Sequence, residues 1–230
     1  MKILVACEES QAVTIELRKL GHEAYSCDIE DCSGGHPEWH IQGDVLEVMN
    51  GCCTFKTMDE KMHCQGCRWD MLVAFPPCTY LSNAGATWLY PQKGVLNKER
   101  YKKGLEGKAF FMNFYNAVCD KIAVENPIPS LVYELPKRSQ IIQPYQFGEP
   151  YSKKTCLWLK GLPLLQPTNI LTKYVQLIST GTASKKGLKE KDGMTHGSKL
   201  RSKTFPGIAK AMAEQWTVET KDKEQQISFI

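Results

Sequence analysis

The sequence predicts a doubly wound α/β fold built on a mostly parallel sheet. Short apolar segments alternate along the chain with segments whose apolar residues recur at helical spacing. Strands that alternate with helices in this way pair in parallel and place helices on both faces of the sheet. Polar residues follow the carboxyl ends of most of the apolar segments, and such sheets bind ligands beyond those ends. These polar residues are therefore the first candidates for a functional site.

The first four predicted elements are a strand, a helix and two further strands. KILVAC (2–7) is the short apolar run of a buried strand. QAVTIELRKLG (11–21) has helical spacing and ends in a glycine, a common stop. EAYSCDI (23–29) predicts a second strand, and HIQGDVLEVM (40–49) carries a third short strand into Asp44.

A fourth strand and a long helix follow an interruption in the pattern. WDMLVAF (69–75) is continuously apolar after its first two residues, as a strand buried on both faces is. The next long segment, 98–119, places Phe111, Phe114 and Val118 on one face, which predicts a helix with that face in the core.

The last elements close a single domain. KIAVENP (121–127) predicts a fifth strand and KTCLWL (154–159) a sixth, while FPGIAKAMAEQW (205–216) predicts a helix with a proline suited to its first turn. We expect one catalytic-type domain over residues 1–218 and a loosely held tail at 219–230.

Composition narrows the class of protein. The 230 residues are 42% hydrophobic and 23% charged, as in soluble globular proteins. No apolar run reaches the roughly 20 residues that a bilayer requires, and the N-terminus lacks the pattern of a signal peptide. Ten cysteines in a chain of this length, without an export signal, favour reduced thiols over a disulfide scaffold. We therefore expect an intracellular protein.

Basic residues are concentrated in two stretches, although the net charge is only +4. The segment 184–203 holds seven Lys and Arg residues against two acids. The other stretch comprises Lys93, Lys98, Arg100, Lys102 and Lys103. Both stretches could follow a phosphate backbone, and both could equally be solvated loops.

A rigid corner follows the fourth predicted strand, at Phe75-Pro76-Pro77-Cys78. Two consecutive prolines cannot continue a strand ladder or a helix, so the chain turns there. Cys78 is either a packed thiol, as many free cysteines are, or a thiol presented for chemistry. A cysteine nucleophile acts as the thiolate, so it needs a pKa below its usual ~8.5 or a neighbouring base.

Three acids end other predicted strands. Asp28 follows the second strand, where an acid commonly accepts hydrogen bonds from ribose hydroxyls, and Asp44 follows the third. Both could instead be loop or capping acids, for which Asp is favoured. Glu125 ends the fifth strand, where burial would raise its pKa and let it donate a proton; a structural acid bound to backbone amides is the alternative.

Together these motifs resemble the motif series of DNA cytosine-5 methyltransferases, and most of all the small bacteriophage forms. The resemblance runs from residue 2 to about 216, with an interruption at 50–68. The matching motifs are Asp28, GDV (43–45), FPPC (75–78), VENP (124–127) and FGEPYSKKTCLWLKG (147–161).

The resemblance implies a class I S-adenosylmethionine-dependent methyltransferase fold, which is Rossmann-like. It also implies an enzyme that transfers a methyl or related group from S-adenosylmethionine, or an analogue, to carbon 5 of cytosine in DNA. In the family the Pro-Cys cysteine, here Cys78, attacks carbon 6 of cytosine. The glutamate, here Glu125, forms a hydrogen bond to ring nitrogen 3 and protonates it. Loss of the proton at carbon 5 then expels the enzyme.

The family's binding residues map onto this sequence by position. Asp28 would bind the ribose hydroxyls of the donor and Asp44 its adenine amino group. The implied donor-binding residues are Glu8, Ser10, Gln11, Asp28, Ile29, Asp44, Val45, Phe75 and Pro76. The implied substrate-binding residues are Pro77, Asn126, Lys153, Thr155, Lys199 and Arg201.

The first departure from the family pattern lies in the donor motif. The family has Phe-x-Gly-x-Gly, in which glycines let the backbone approach the donor closely. Here ACEESQ (6–11) contains no glycine. We expect Ser10 and Gln11 to hold the methionine end of the donor, and Glu8 or Glu9 to pair with its positive charge. A changed pocket also leaves room for a donor that carries another group.

Two further departures concern the substrate. At the family's Gln-x-Arg-x-Arg motif this chain has Tyr151, Lys153 and Thr155, and lysine cannot make the bidentate contact of arginine. The family's large target-recognition domain is reduced to a basic segment, 163–204, which predicts phosphate contacts and a short sequence preference. A cytosine within a duplex would have to be flipped out of the stack.

The interruption at 50–68 is a Cys-rich insertion. Cys52 or Cys53, with Cys64 and Cys67, resembles a zinc knuckle in which TFKTMDEKMH forms a hairpin between the ligands. Structural zinc takes four thiolates, or a histidine such as His63 in place of one. Free thiols on a hairpin are the alternative.

Two other functions remain open from the sequence. The same chemistry could act on free deoxycytidine nucleotide or on RNA, since the recognition region is thin. The chain could also be a non-catalytic homologue that only binds nucleic acid, if the glycine-free motif has lost the donor. Donor binding distinguishes an enzyme from such a binding protein.

Overall fold

The computed structural model describes residues 1–50, 54–64, 66, 68–86, 88–176 and 204–218. The strands are β1 Lys2–Ala6, β2 Glu23–Asp28, β3 His40–Gln42, β4 Thr54–Lys56, β5 Met62–Cys64, β6 Met71–Ala74, β7 Lys121–Pro127, β8 Gln140–Ile142, β9 Tyr151–Ser152, β10 Thr155–Lys160 and β11 Val175–Gln176. The α-helices are α1 Ala12–Lys19, α2 Val45–Met49, α3 Asn83–Ala86, α4 Lys98–Tyr115 and α5 Pro206–Trp216. Short 3₁₀ turns cover Pro37–Trp39, Leu131–Tyr133 and Pro144–Gln146.

A seven-stranded sheet forms the centre, in the order β3-β2-β1-β6-β7-β10-β8. Strands β3, β2, β1, β6 and β7 pair in parallel, whereas β10 runs antiparallel to both β7 and β8. The predicted doubly wound, mostly parallel, Rossmann-like α/β fold is therefore confirmed. The strand order changes direction between β1 and β6, which is the switch point where such sheets bind ligands.

Helices cover both faces of the sheet, so the central strands are buried on both sides. In β1, Ile3 and Val5 pack with the apolar faces of α1 and α5. Leu4 and Ala6 point the other way, into a cluster that includes side chains of α4. This alternation explains why the central strands are continuously apolar in the sequence.

Helix α4 is shorter than the sequence predicts. It ends at Tyr115 with Asn116 as its C-cap, and the chain then turns to begin β7. Phe111 and Phe114 are buried as predicted, but Val118 lies beyond the helix and is 70% exposed. The predicted burial of Val118 is therefore wrong, because the helical period does not extend to it.

Strands β4 and β5 form the hairpin predicted within the Cys-rich insertion. They pair antiparallel, with Phe55 opposite His63. Phe55 is buried, and its ring meets that of Tyr25 on β2 edge to face at 4.9 Å. The backbone N–H of Met58, in the hairpin turn, donates to the carbonyl of His40 on β3 at 2.8 Å. The hairpin is thus packed on the β2–β3 side of the sheet.

The described residues bear on two predictions made from composition, the absence of a membrane-spanning segment and the presence of reduced thiols. None of their helices is both long and apolar enough to cross a bilayer. The seven cysteines within the described ranges are all free thiols.

Candidate active site

Cys78 lies on an ordered turn just beyond the switch point. The N–H of Phe75 donates to the carbonyl of Ala6 at 2.9 Å, so β1 and β6 stay joined up to the first proline. The carbonyl of Cys78 then accepts from the N–H groups of Leu81 and Ser82 at 3.2 and 3.0 Å. Leu81 is fully buried and anchors the turn, while Cys78 is partly exposed. The backbone around the thiol is therefore held in place.

Glu125 lies in β7, the strand next to β6. Ala74 pairs with Val124 in the parallel register, so Phe75 and Glu125 follow at the same level of the sheet. The surroundings of Glu125 exclude much of the water, and this burial raises the pKa of its carboxyl group; the positive charge of Lys153 works in the opposite direction. Glu125 therefore keeps its proton to a higher pH than an ordinary glutamate.

A pocket at this edge brings together four residues that the sequence predicts for the site. They are Phe75, Glu125, Lys153 and Thr155. Sequence reasoning missed the other wall, which comprises Thr204, the N-cap Phe205 of α5, and Ile208 and Met212 within that helix. The cavity volume is only about 20 Å³, room for about one water, so a base can enter only if the lining moves. Cys78 is not among the lining residues.

Asn126 is fully buried and incompletely hydrogen-bonded. Its Nδ2 donates to the carbonyl of Pro127 at 2.7 Å. Its Oδ1 has no partner, the one such buried side-chain atom in the described part of the chain. The β6–β7 register places Pro76, which has no N–H to offer, level with Asn126. A buried acceptor left in this way costs about 1–3 kcal/mol, so the position favours a role beyond packing.

On the donor side, Asp28 and Asp44 lie at neighbouring strand ends. The carbonyl of Asp28 accepts from the N–H of Gly43 at 2.9 Å, which joins the ends of β2 and β3. The Oδ1 of Asp44 accepts from the N–H of Leu46 at 2.9 Å and caps α2, a helix that the sequence analysis missed. Both carboxylates lie near the Cys7 thiol, whose pKa is raised by burial first and by these negative charges second.

Two apolar residues beside these acids differ in exposure. Ile29, next to Asp28, is 76% exposed and offers an apolar surface at the strand end. Val45, next to Asp44, is buried in the core. The side chain of Val45 therefore packs in the core, and its contact with the donor stays a prediction.

Glu8 anchors the start of α1. Its carboxylate accepts from the N–H of Val13 at 2.7 Å and from the N–H and hydroxyl of Thr14 at 3.2 and 2.8 Å. Burial raises the pKa of Glu8 to about 7, in spite of these hydrogen bonds. Glu8 therefore has a structural role at the start of α1, and its contact with a donor stays a prediction.

Gln11 is also fully buried and structurally engaged. Its Nε2 donates to the Oγ of Ser26 at 3.2 Å and to the carbonyl of His36 at 2.9 Å. Its Oε1 accepts from the N–H of His36 at 3.0 Å. Gln11 therefore ties the loop before β3 to the loop before α1. Ser10 is partly exposed between them, and its donor contact stays a prediction.

The glycine-free loop adopts backbone conformations that glycine favours. Cys7 and Gln11 have φ values of 58° and 56°, which cost a non-glycine residue roughly 1 kcal/mol each. The close approach occurs instead from another loop: a Cβ on Gly34 would lie 2.6 Å from the Cβ of Gln11. This close packing therefore joins the loop of Gly34 to the loop before α1.

The structure does not support zinc. Cys52, Cys53 and Cys67 lie outside the described residues, and Cys64 is exposed. Both ring nitrogens of His63 are engaged, Nδ1 with the hydroxyl of Tyr25 at 3.1 Å and Nε2 with that of Thr57 at 3.0 Å. Within the described ranges, no three or more His, Cys, Asp or Glu side chains are arranged to hold a metal. His63 is therefore not an available ligand.

The predicted recognition segment is described only in part. Lys199 and Arg201 lie outside the described residues, as does the rest of 177–203. In the preceding part, Tyr145 and Tyr174 stack at 4.1 Å, and β11 pairs in parallel with β9.

Comparison with known proteins gives likeness in fold alone. No protein-family model matches the chain, and no curated protein matches its sequence. One similar solved structure is described as a DNA modification methyltransferase encoded within a prophage of E. coli, with 11% identity, a TM-score of 0.41, and 74% of this chain and 52% of that chain covered. Another is a methyltransferase of Entamoeba histolytica, with 13% identity, a TM-score of 0.42, and 78% and 57% covered. The chain spans little more than half the length of either.

Proposed function

We propose that this chain is an S-adenosylmethionine-dependent methyltransferase that acts at carbon 5 of cytosine in DNA, with Cys78 as nucleophile and Glu125 as acid. One observation carries the proposal: a partly exposed thiol lies on a fixed turn after β6, and a desolvated carboxyl group lies in the neighbouring parallel strand, β7. Thr155, at the start of β10, and Lys153, just before that strand, line the pocket with Glu125.

The two residues supply complementary chemistry. The Cys78 thiolate adds to carbon 6 of cytosine, and the electrons of the 5,6 double bond move toward carbon 5 while Glu125 gives its proton to nitrogen 3. A carboxyl group with a raised pKa holds that proton to a higher pH than an ordinary glutamate does. Carbon 5 then takes the methyl group, whose bond to the donor sulfur breaks and leaves a neutral thioether. Loss of the proton at carbon 5 re-forms the 5,6 double bond and expels the Cys78 thiolate, and the proton on nitrogen 3 returns to Glu125.

The switch-point edge fits one half of the donor better than the other. Asp28 and Asp44 offer carboxylates suited to ribose hydroxyls and an amino group, and exposed Ile29 offers an apolar surface for a ring. The loop that would face the methionine half contains no glycine. The side chains of Glu8 and Gln11 in that loop already form hydrogen bonds within the fold. S-adenosylmethionine, when bound, supplies an electrophilic methyl group, and an analogue would supply a related one.

Mass spectrometry of nucleosides tests the reaction. DNA from cells that express the chain should contain a heavier deoxycytidine, and DNA from cells that express Cys78→Ser should not. The mass increment identifies the transferred group. Unchanged DNA together with modified RNA or free nucleotide would show that the substrate is RNA or free nucleotide instead of DNA. No modified cytosine in any pool, with no affinity of the purified protein for S-adenosylmethionine, would contradict the proposal.

A further inference from the structure

Three aromatic side chains face solvent within thirteen residues of Cys78. Trp88 is 62% exposed and Tyr90 is 49% exposed, while Tyr80 is partly exposed. These three residues are called the aromatic platform. Large aromatic side chains are strongly stabilised by burial, so a cluster left in water marks a binding surface more often than a lone exposed residue does.

The platform is anchored rather than loose. Leu89 is fully buried between its exposed neighbours Trp88 and Tyr90, and Leu81 is fully buried beside Tyr80. Leu89 also accepts a hydrogen bond at its carbonyl from the N–H of Asn97 at 2.8 Å. Each anchor turns the adjacent ring outward, so the exposure of the rings is a property of the fold.

Cations surround the platform. The segment 79–103 contains five Lys and Arg residues and a single acid, Glu99, so its net charge of +4 equals that of the whole chain. The guanidinium of Arg100 lies over the ring of Tyr80, 5.0 Å from its centroid, and the Lys103 ammonium lies 5.9 Å away.

The same arginine links two members of the platform, Tyr80 and Trp88. The Nε of Arg100 donates to the carbonyl of Gly85 at 3.0 Å, and the N–H of Trp88 donates to that carbonyl at 3.3 Å. Rings and cations therefore belong to one surface at the start of α4.

We propose that this surface binds single-stranded DNA, so that the enzyme acts on cytosines that are already unpaired. Aromatic side chains stack on the faces of bases, and these faces are covered in a duplex but free in a single strand. The interleaved cations match a phosphate backbone and disfavour an apolar protein partner. The inference rests on the proposed function, and it names the form of the DNA.

The inference is tested by measuring DNA binding with a variant that cannot turn over. Full-length Cys78→Ser protein is titrated into a labelled cytosine-containing DNA strand of about 16 nucleotides, the same sequence as a duplex, and the matching RNA strand, with fluorescence anisotropy as the readout. We expect the DNA strand to bind at least about tenfold more tightly than the duplex. Trp88→Ala and Tyr90→Ala should each weaken strand binding by about 5- to 100-fold, the range for loss of one base stack.

Val118→Ala is the matched control, since Val118 is an exposed apolar residue past the far end of α4. Its binding should be unchanged. Trp88→Phe should keep the affinity, because it retains a ring, but should reduce the quenching of tryptophan fluorescence by the strand. Circular dichroism establishes that each variant is folded.

Equal affinity for strand and duplex, tighter binding of the RNA strand, or no effect of Trp88→Ala and Tyr90→Ala would each overturn the inference. Methyl transfer to duplex DNA at a rate that Trp88→Ala does not change would also overturn the inference, but the proposed function would stand. Tight, Trp88-dependent strand binding by a protein that transfers no group would uphold the single-strand binding surface and contradict the proposed function.

Discussion

Two of the described cysteines, Cys119 and Cys156, have surroundings that suit packing rather than chemistry. The thiol of Cys119 donates to the carbonyls of Trp69 and Lys121, both at 3.3 Å. Cys156 is fully buried, and burial raises the pKa of its thiol to about 11. Both are therefore protonated at neutral pH and unsuited to nucleophilic attack.

Cys78→Ser should lower turnover by at least about a thousandfold, because a serine hydroxyl is a far weaker nucleophile than a thiolate. The melting temperature should stay close to that of the native chain. Cys119→Ser and Cys156→Ser should retain activity within a few-fold, as measured by transfer of a labelled methyl group. Comparable loss in all three variants would show that the thiols serve packing rather than chemistry.

Glu125 predicts a particular pH dependence. The reaction requires its protonated form, so kcat/KM should fall as the pH rises through its raised pKa. Lys153→Met removes the positive charge that favours the carboxylate, which raises the pKa of Glu125 further. The alkaline limb of the pH profile should therefore move to higher pH in Lys153→Met, even if kcat/KM is lower throughout. A limb that moves to lower pH would contradict the assignment of Glu125 as the acid.

At the scale of elements, the strand end of β2 is predicted to hold the donor. Asp28→Ala should weaken binding of S-adenosylmethionine by about tenfold or more, the usual cost of a hydrogen bond to a charged group. Asp31→Ala is the control, since Asp31 is exposed in the same loop. Isothermal titration calorimetry measures both. Equal affinities in the two variants would remove Asp28 from the donor site.

Glu8 predicts how the stability of the fold depends on pH. Its pKa is about 7 in the folded chain against an ordinary 4.5, so the folded state holds the proton more tightly. The corresponding stability is present below about pH 4.5 and lost as the pH rises through 7. Relative to Glu8→Gln, the native chain should lose on the order of 3 kcal/mol of unfolding free energy across this range. Urea titrations at both ends of the range measure it, and parallel pH curves would contradict the assignment.

Elements buried on two faces could be predicted from the sequence, and elements supported by single contacts could not. β1 and β6 are continuously apolar because helices cover both sides of them. β8 is a three-residue strand at the edge of the sheet, with no apolar run of its own. α2 depends on the cap at Asp44, which local sequence does not distinguish from a loop acid.

At the scale of the molecule, the order of motifs indicated which strand ends meet, but not what completes the pocket. The positions of Glu125 and Phe75 follow from parallel pairing of neighbouring strands. The wall from Phe205 and Ile208 does not, because α5 lies far from them along the chain and reaches the pocket only through its packing on α1 and the sheet. The sequence also could not predict that the Glu8 side chain turns toward the start of α1. An acid at this position could equally have faced a ligand.

Charge predicts how DNA binding responds to salt. The affinity should fall as salt rises, since bound Lys and Arg residues release counterions from the phosphates. Replacing Lys98, Lys102 and Lys103 together with glutamine should reduce the slope of log affinity against log salt by up to about 2. Lys210→Gln, on α5, should leave the slope unchanged. A native affinity that does not respond to salt would contradict a phosphate-binding role for these basic stretches.

The most direct test of the central claim is to trap the bond between Cys78 and cytosine. An oligonucleotide with fluorine at carbon 5 of the target cytosine has no proton to lose there, so the adduct cannot release the enzyme. With S-adenosylmethionine, the native chain should form a complex that survives denaturation, and peptide mass spectrometry should place the base on Cys78. Cys78→Ser should form none. Transfer to ordinary cytosine without any trapped complex, or a complex at another residue, would contradict the proposed role of Cys78.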